Sequence, residues 1–123
     1  MTTIAVLLLL AALLPVIAAG VAKAGGKGFD NETPRDWLAR QSGWRARANA
    51  AQTNMFESLP FFYAASLYAV YHQAELVHLG GLMSAWLLLR LVYLGLYVAG
   101  RGSLRSLVWL VTFGVNVAIL FAA

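Results

Sequence analysis

The sequence predicts an all-α integral membrane protein, a four-transmembrane-helix bundle, on three observations. Hydrophobic side chains make up 61% of its 123 residues and charged ones 11%, against about 45–50% apolar and about 25% charged in soluble domains. Four runs along the chain are each long enough to cross a bilayer core as a helix, which takes about 20 residues. Most cations gather in two of the connections between those runs. So small a bundle encloses little space, so an oligomer is expected, with any sizeable pocket between subunits. Cysteine is absent, which excludes disulfides, thiolate metal ligands and a protein thiol nucleophile. Thiol chemistry would need sulfur from a cofactor.

One domain, residues 1–123, is expected, with spans at 4–22, 48–71, 76–98 and 104–122 and cytoplasmic loops at 23–47 and 99–103. The first span holds no charge and one breaker, Pro15, which a membrane helix tolerates where neighbours satisfy the freed carbonyl. A cleaved leader would start with basic residues; Met1, Thr2 and Thr3 supply none. In the polar stretch 24–43, Thr33-Pro34-Arg35-Asp36 predicts a short surface helix ending near Gly43, with Thr33 as cap, Pro34 at the first position and Asp36 reaching back. The second span starts amphipathic near Trp44, turns apolar at Met55 and contains Glu57 and Pro60. The third contains Arg90 and pairs of small residues at four-residue spacing, Gly80 with Ser84 and Gly81 with Ala85, a pattern that lets membrane helices approach closely. The fourth begins at Leu104.

Charge sets orientation. Lys23, Lys27, Arg35, Arg40, Arg45 and Arg47 occupy or flank the first connection, and Arg101 and Arg105 mark the third. The second connection and both ends of the chain carry no Lys or Arg. By the positive-inside rule the first and third connections face the cytoplasm and both termini the periplasm. The net charge of +4 then reflects topology and anionic headgroups; no nucleic-acid motif is present. Trp37 and Trp44 read as headgroup anchors. His72, Glu75 and His78 read as a solvated loop and not a metal site, because His78 points away from the face the other two share.

Glu57 and Arg90 are the fully charged residues well inside the spans. Each costs roughly 2.5–3.5 kcal/mol at a helix centre. Each lies about ten residues, or about 15 Å, from the cytoplasmic end of its helix, so they are expected to pair. Arg47, Ala51, Asn54 and Glu57 share one face of the second span, and Trp86, Arg90, Tyr93 and Tyr97 one face of the third. Together they predict a polar groove opening to the cytoplasm, with Arg105, Arg101 and Ser106 at its mouth. This suits an anionic ligand; the plainer alternative is that these groups only fix helix register.

The run Arg45-Ala-Arg47-Ala-Asn49-Ala-Ala-Gln52-Thr-Asn54-Met-Phe-Glu57-Ser-Leu-Pro60-Phe61 resembles the signature of the MAPEG family, the membrane-associated proteins in eicosanoid and glutathione metabolism. Arg90-Leu-Val-Tyr93-Leu-Gly-Leu-Tyr97 and Leu104-Arg105-Ser106-Leu107 are similar to its downstream pattern, and Phe29-Asp30-Asn31 with Pro34-Arg35 resemble its bacterial branch. The resemblance implies a four-helix subunit, a homotrimer, a bacterial inner-membrane location and glutathione held between subunits on the cytoplasmic side. It implies that Asn54, Glu57, Arg90, Tyr93 and Tyr97 bind glutathione or support its site, that Gln52 does so in some members, and that Arg105 stands near the sulfur as the catalytic residue. The family arginine four residues before the Asn is Ala50 here, and Thr53 replaces a basic residue found in some members. Arg47 or Arg45, one turn earlier, is the expected substitute. The expected activity is conjugation of glutathione to lipophilic electrophiles, of transferase or peroxidase type. The alternative is a non-catalytic lipid-binding or scaffold member. A small multidrug transporter is a third class, but those proteins place their membrane glutamate in the first helix, which is uncharged here.

Overall fold

The computed structural model describes residues 1–123 as five helices: α1 (Thr2–Lys23), α2 (Pro34–Ala39), α3 (Gly43–Tyr71), α4 (Leu76–Val98) and α5 (Gly102–Leu120). By length and composition α1, α4 and α5 can each cross a membrane. At 29 residues α3 is longer still, but its first half carries Arg45, Arg47, Asn49, Gln52, Asn54 and Glu57 and lowers its hydropathy. Only 28 of 123 residues are buried, and large apolar side chains such as Leu9, Leu13, Leu107 and Leu110 lie exposed along α1 and α5. A surface of that composition suits lipid rather than water; the molecule is an integral membrane protein.

α1 packs on α3 and α4, and α3 packs on α4 and α5, which pack on each other. Alanines make the close approach of α1 and α3: Ala11, Ala18, Ala22, Ala48, Ala51, Ala65 and Ala69 are all fully buried. Small side chains let backbones near one another where no hydrophobic effect drives association. Tyr63 adds a crossing bond, its hydroxyl donating to the Leu8 carbonyl at 2.9 Å. Gly80 lies buried against Ile4 and Leu7, whereas Gly81 faces open space, so one of the two small-residue rows packs within the chain.

The first and third connections meet at one end of the bundle. Arg45 Nη1 donates to the Ala22 carbonyl at 3.1 Å, and Arg47 Nε and Nη2 donate to the Val98 carbonyl at 3.1 and 3.0 Å. Two arginines on the first turn of α3 thus hold the C-terminal ends of α1 and α4, where a cation meets both unpaired carbonyls and the negative end of the helix dipole. α4 closes with a Schellman turn: Gly100, at φ 75°, donates to Tyr97 and Arg101 donates to Leu96, a geometry that favours glycine.

Two local expectations are corrected. Thr33 occupies the cap position of α2, but its hydroxyl turns back to Asp30 at 3.5 Å and makes no cap bond. The Asp30 carboxylate also accepts the Glu32 amide, so an Asx turn organises this entry. Trp37 is no headgroup anchor: it is 3% exposed, donates to the Lys27 carbonyl and packs edge-on against Phe29. It is the small core of the loop. Trp44 is half-exposed with the Arg45 guanidinium 4.3 Å above its ring.

Candidate functional site

Arg90 is 1% exposed and donates from Nη2 to Asn54 Oδ1 at 2.7 Å. The expected pairing with Glu57 is not made. Glu57 stands exposed and makes no bond to Arg90, although both line the same space between α3, α4 and α5. Two things separate the outcomes. Residues three apart on a helix differ by about 60° in direction, and Asn54 lies about 4.5 Å nearer the charged end than Glu57. An arginine inside a membrane helix gains by reaching toward that end.

From Arg90 a ladder of cation and ring contacts runs outward. The guanidinium sits 4.3 Å from the Tyr93 ring centroid, Tyr93 and Tyr97 meet edge to face at 5.6 Å, and Arg105 lies 4.3 Å over Tyr97. Positions 90, 93 and 97 share one face of α4, and Arg105 enters from the first turn of α5. Asn54, Tyr93, Tyr97, Arg105, Ser106 and Trp109 surround a groove of about 260 Å³. It can offer a thiol or carboxylate a guanidinium, two phenols, a hydroxyl and an amide.

Beside this groove, between α3, α4 and α5, lies a half-open cleft of about 200 Å³. Asn54 and Trp109 line both spaces. Arg90, Glu57, Thr112 and Asn116 supply polar walls, and Phe61, Trp86 and Phe113 apolar ones. Trp109, Thr112 and Asn116 were missed by the sequence reading. Their signal was available: past Arg105 and Ser106, Thr112 and Asn116 are the strongly polar residues of the fourth run, and the spacing of 109, 112 and 116 puts all three on one face with Arg105.

Two sequence-predicted site residues lie elsewhere. Gln52 lines a separate cavity of about 510 Å³ with Lys23, Arg35, Asn49, Thr53 and Glu57, on the opposite side of α3. Arg47 is engaged by the Val98 carbonyl and Arg45 by the Ala22 carbonyl, so neither is free to replace the arginine missing at Ala50.

Fold and groove define the class: a small helical integral membrane protein with a polar, arginine-framed groove at the end where its cationic connections meet. The chain belongs to the MAPEG family, whose family model matches residues 2–123, essentially the whole sequence. Membership supports a membrane, glutathione-related role of transferase, peroxidase or related type in general. Neither curated proteins nor solved structures yielded a match.

Proposed function

We propose that this protein is a membrane-bound glutathione-dependent transferase or peroxidase-type enzyme that conjugates glutathione to lipophilic electrophiles. The observation that carries the reading is the convergence of Asn54, Tyr93, Tyr97, Arg105 and Ser106 on one groove. Asn54, Glu57, Arg90, Tyr93 and Tyr97 bind or support glutathione in this reading, and Arg105 holds the sulfur as thiolate. A thiol of pKa about 8.5 is only a few per cent ionised at neutral pH. Lowering it by about two units takes roughly 2.7 kcal/mol, within reach of a guanidinium and a Ser106 or Tyr93 hydrogen bond at a partly desolvated site. The thiol proton leaves to water at the groove mouth. The sulfur then bonds to the electrophilic carbon, and the displaced group departs with its electron pair.

The reading extends to one four-span domain, a homotrimer, and a bacterial inner-membrane location with cytoplasmic connections at 23–47 and 99–103. The exposed carboxylate of Glu57 supports self-association, since lipid is a costly neighbour for it and a second subunit is not. Gln52, across α3 from the groove, would serve the groove of an adjacent copy. Conjugation of glutathione to a generic electrophile by purified protein tests the enzyme. Arg105→Ala should lower the neutral-pH rate by up to about twenty-five-fold, the ratio of thiolate present at pKa about 6.5 and about 8.5, and undiminished activity in that variant overturns the assignment.

A second reading, a non-catalytic lipid-binding or scaffold member, is favoured by Ala50 together with the engagement of Arg45 and Arg47. Losing one carboxylate-binding arginine removes about 1.5–3 kcal/mol, about ten- to a hundredfold in affinity. Thermal stabilisation by glutathione supports the enzyme, and stabilisation by fatty acids alone supports the second reading.

A further inference from the structure

One cavity holds cations that the chain itself leaves unused. Where the end of α1, the start of α2 and the first half of α3 meet, a space of about 510 Å³ is lined by Lys23, Arg35, Asn49 and Thr53, with Phe56 and Glu57 further along α3. Arg45 and Arg47 nearby are held by carbonyls. Lys23 and Arg35 are not: the Lys23 ammonium lies 5.5 Å from the Phe29 ring, Arg35 stands exposed, and neither donates a hydrogen bond within the chain. Asp30, Glu32 and Asp36, the acids of the same connection, do not line the cavity, and neither does any residue around the Arg105 groove.

Past the cavity the same face of α3 turns apolar. Positions 49, 53, 56, 60, 64 and 67 follow spacings of three and four and share one face of the helix. Asn49 and Thr53 come first, at the charged end; Phe56 and Leu67 follow at 55% and 56% exposure, with Pro60 and Ala64 exposed between them. At 1.5 Å per residue the stripe runs about 27 Å, from headgroup level through most of a core about 30 Å thick. Cations above an exposed apolar track outline a lipid, phosphate at the surface and acyl chain along the helix. A water-soluble anion has no use for the track. Glu57 lies about 12 Å deeper than Asn49 and also lines the cleft toward α4 and α5, which leaves Lys23 and Arg35 as the charges at headgroup level.

We infer that this cavity is a binding site for an anionic phospholipid, with Lys23 and Arg35 on the phosphate and an acyl chain along Phe56, Pro60, Ala64 and Leu67. Basic pockets between membrane helices bind anionic headgroups. The arginine offers paired N–H donors that match phosphate oxygens, and the lysine a point charge. The Asn49 carboxamide can donate to an ester oxygen beneath them. A choline or ethanolamine headgroup fits less well, because its own ammonium would meet the same two cations. The site stands apart from the thiol-transfer reading, and it leaves Gln52, about 60° round α3 from Asn49, to the adjacent copy.

The test titrates full-length protein in a neutral detergent with dioleoylphosphatidylglycerol and dioleoylphosphatidylcholine, and counts bound lipid by native mass spectrometry. Each cation near a headgroup contributes about fivefold in affinity, so wild type should bind one phosphatidylglycerol per chain about twenty-five-fold more tightly than phosphatidylcholine. Lys23→Gln and Arg35→Gln should each lower that preference about fivefold, and together abolish it. Arg35→Lys should keep most of it, which separates lost charge from lost fold. Arg40→Gln removes an exposed cation of the same connection that does not line the cavity and should change nothing. Equal affinity for the two lipids in wild type overturns the inference, as does binding of neither, the result expected if a second copy covers this face. An equal loss in Arg40→Gln and Arg35→Gln overturns it in favour of diffuse attraction to the surface. Glycerol phosphate that binds as tightly as the lipid overturns it in favour of a soluble phosphate.

Discussion

Asn54→Ala removes the one side chain that Arg90 hydrogen-bonds, leaving a guanidinium 1% exposed beside an empty space. A hydrogen bond to a charged group contributes about 1.5–3 kcal/mol, and at 2.7 Å this one is as short as charge-assisted bonds are. Asn54→Ala is therefore expected to destabilise the fold by about that amount or slightly more, because the cation stays buried and unpaired. Arg90→Met should cost less, since methionine fills the same volume with no charge to desolvate. In the double variant most of the Asn54→Ala penalty should vanish, giving a coupling of about 1.5–3 kcal/mol. Equilibrium unfolding of purified protein in mixed micelles, followed by helical circular dichroism, measures all three. A coupling below about 0.5 kcal/mol, the scatter expected of independent sites, refutes the pairing. A larger coupling between Glu57→Gln and Arg90→Met would reinstate the ion pair expected from depth.

The remaining predictions are brief. Ala50→Arg should tighten glutathione binding about ten- to a hundredfold by calorimetry, and Ala50→Gln should not; equal gains would show that charge is irrelevant there. Arg47→Ala should destabilise the fold by about 1.5–3 kcal/mol, since it frees the Val98 carbonyl and removes a charged hydrogen bond, with glutathione affinity unaltered; a binding loss exceeding the stability loss would make Arg47 a ligand. Glu75, outside the spans, accepts the Val77 and His78 amides at 2.9 and 2.7 Å, and these bonds hold its carboxyl below the ordinary 4.5. A lowered folded value contributes stability above 4.5 that is lost as pH falls below it toward the folded value. The difference in thermal midpoint between wild type and Glu75→Gln should therefore be constant above about pH 5.5 and shrink in acid; a difference independent of pH would mean the carboxylate does not cap α4.

How much was legible follows from which forces leave a mark in one dimension. Apolar run length marks α1 and α4. The stripe of Arg90, Tyr93 and Tyr97 was visible because helical spacing alone puts them on one face, and Asn54 joined it through depth. The Glu57 expectation failed because depth counts residues along an axis and carries no azimuth, and azimuth decides whether a side chain meets α4 or the outer surface. Trp37 was misread because ten residues separate it from the Lys27 carbonyl it donates to, and loops leave no period to read. The cleft between α3, α4 and α5 was invisible for another reason: no pattern in α5 says that α3 and α4 leave space opposite Thr112 and Asn116.

The two arginines that open α3 have a consequence for motion. They fasten the ends of α1 and α4 to one turn of a third helix, so those three ends move as a unit or not at all. The start of α5 has no arginine–carbonyl bond of that kind, only Arg105 over the Tyr97 ring: it follows Gly100 and begins with the exposed residues Gly102, Ser103 and Leu104. Fluctuations at the charged end should concentrate there, with amide exchange faster at 102–106 than at 44–48. A reactant passing Arg105 would then enter by a door hinged on α5, swinging against a frame that Arg45 and Arg47 keep still.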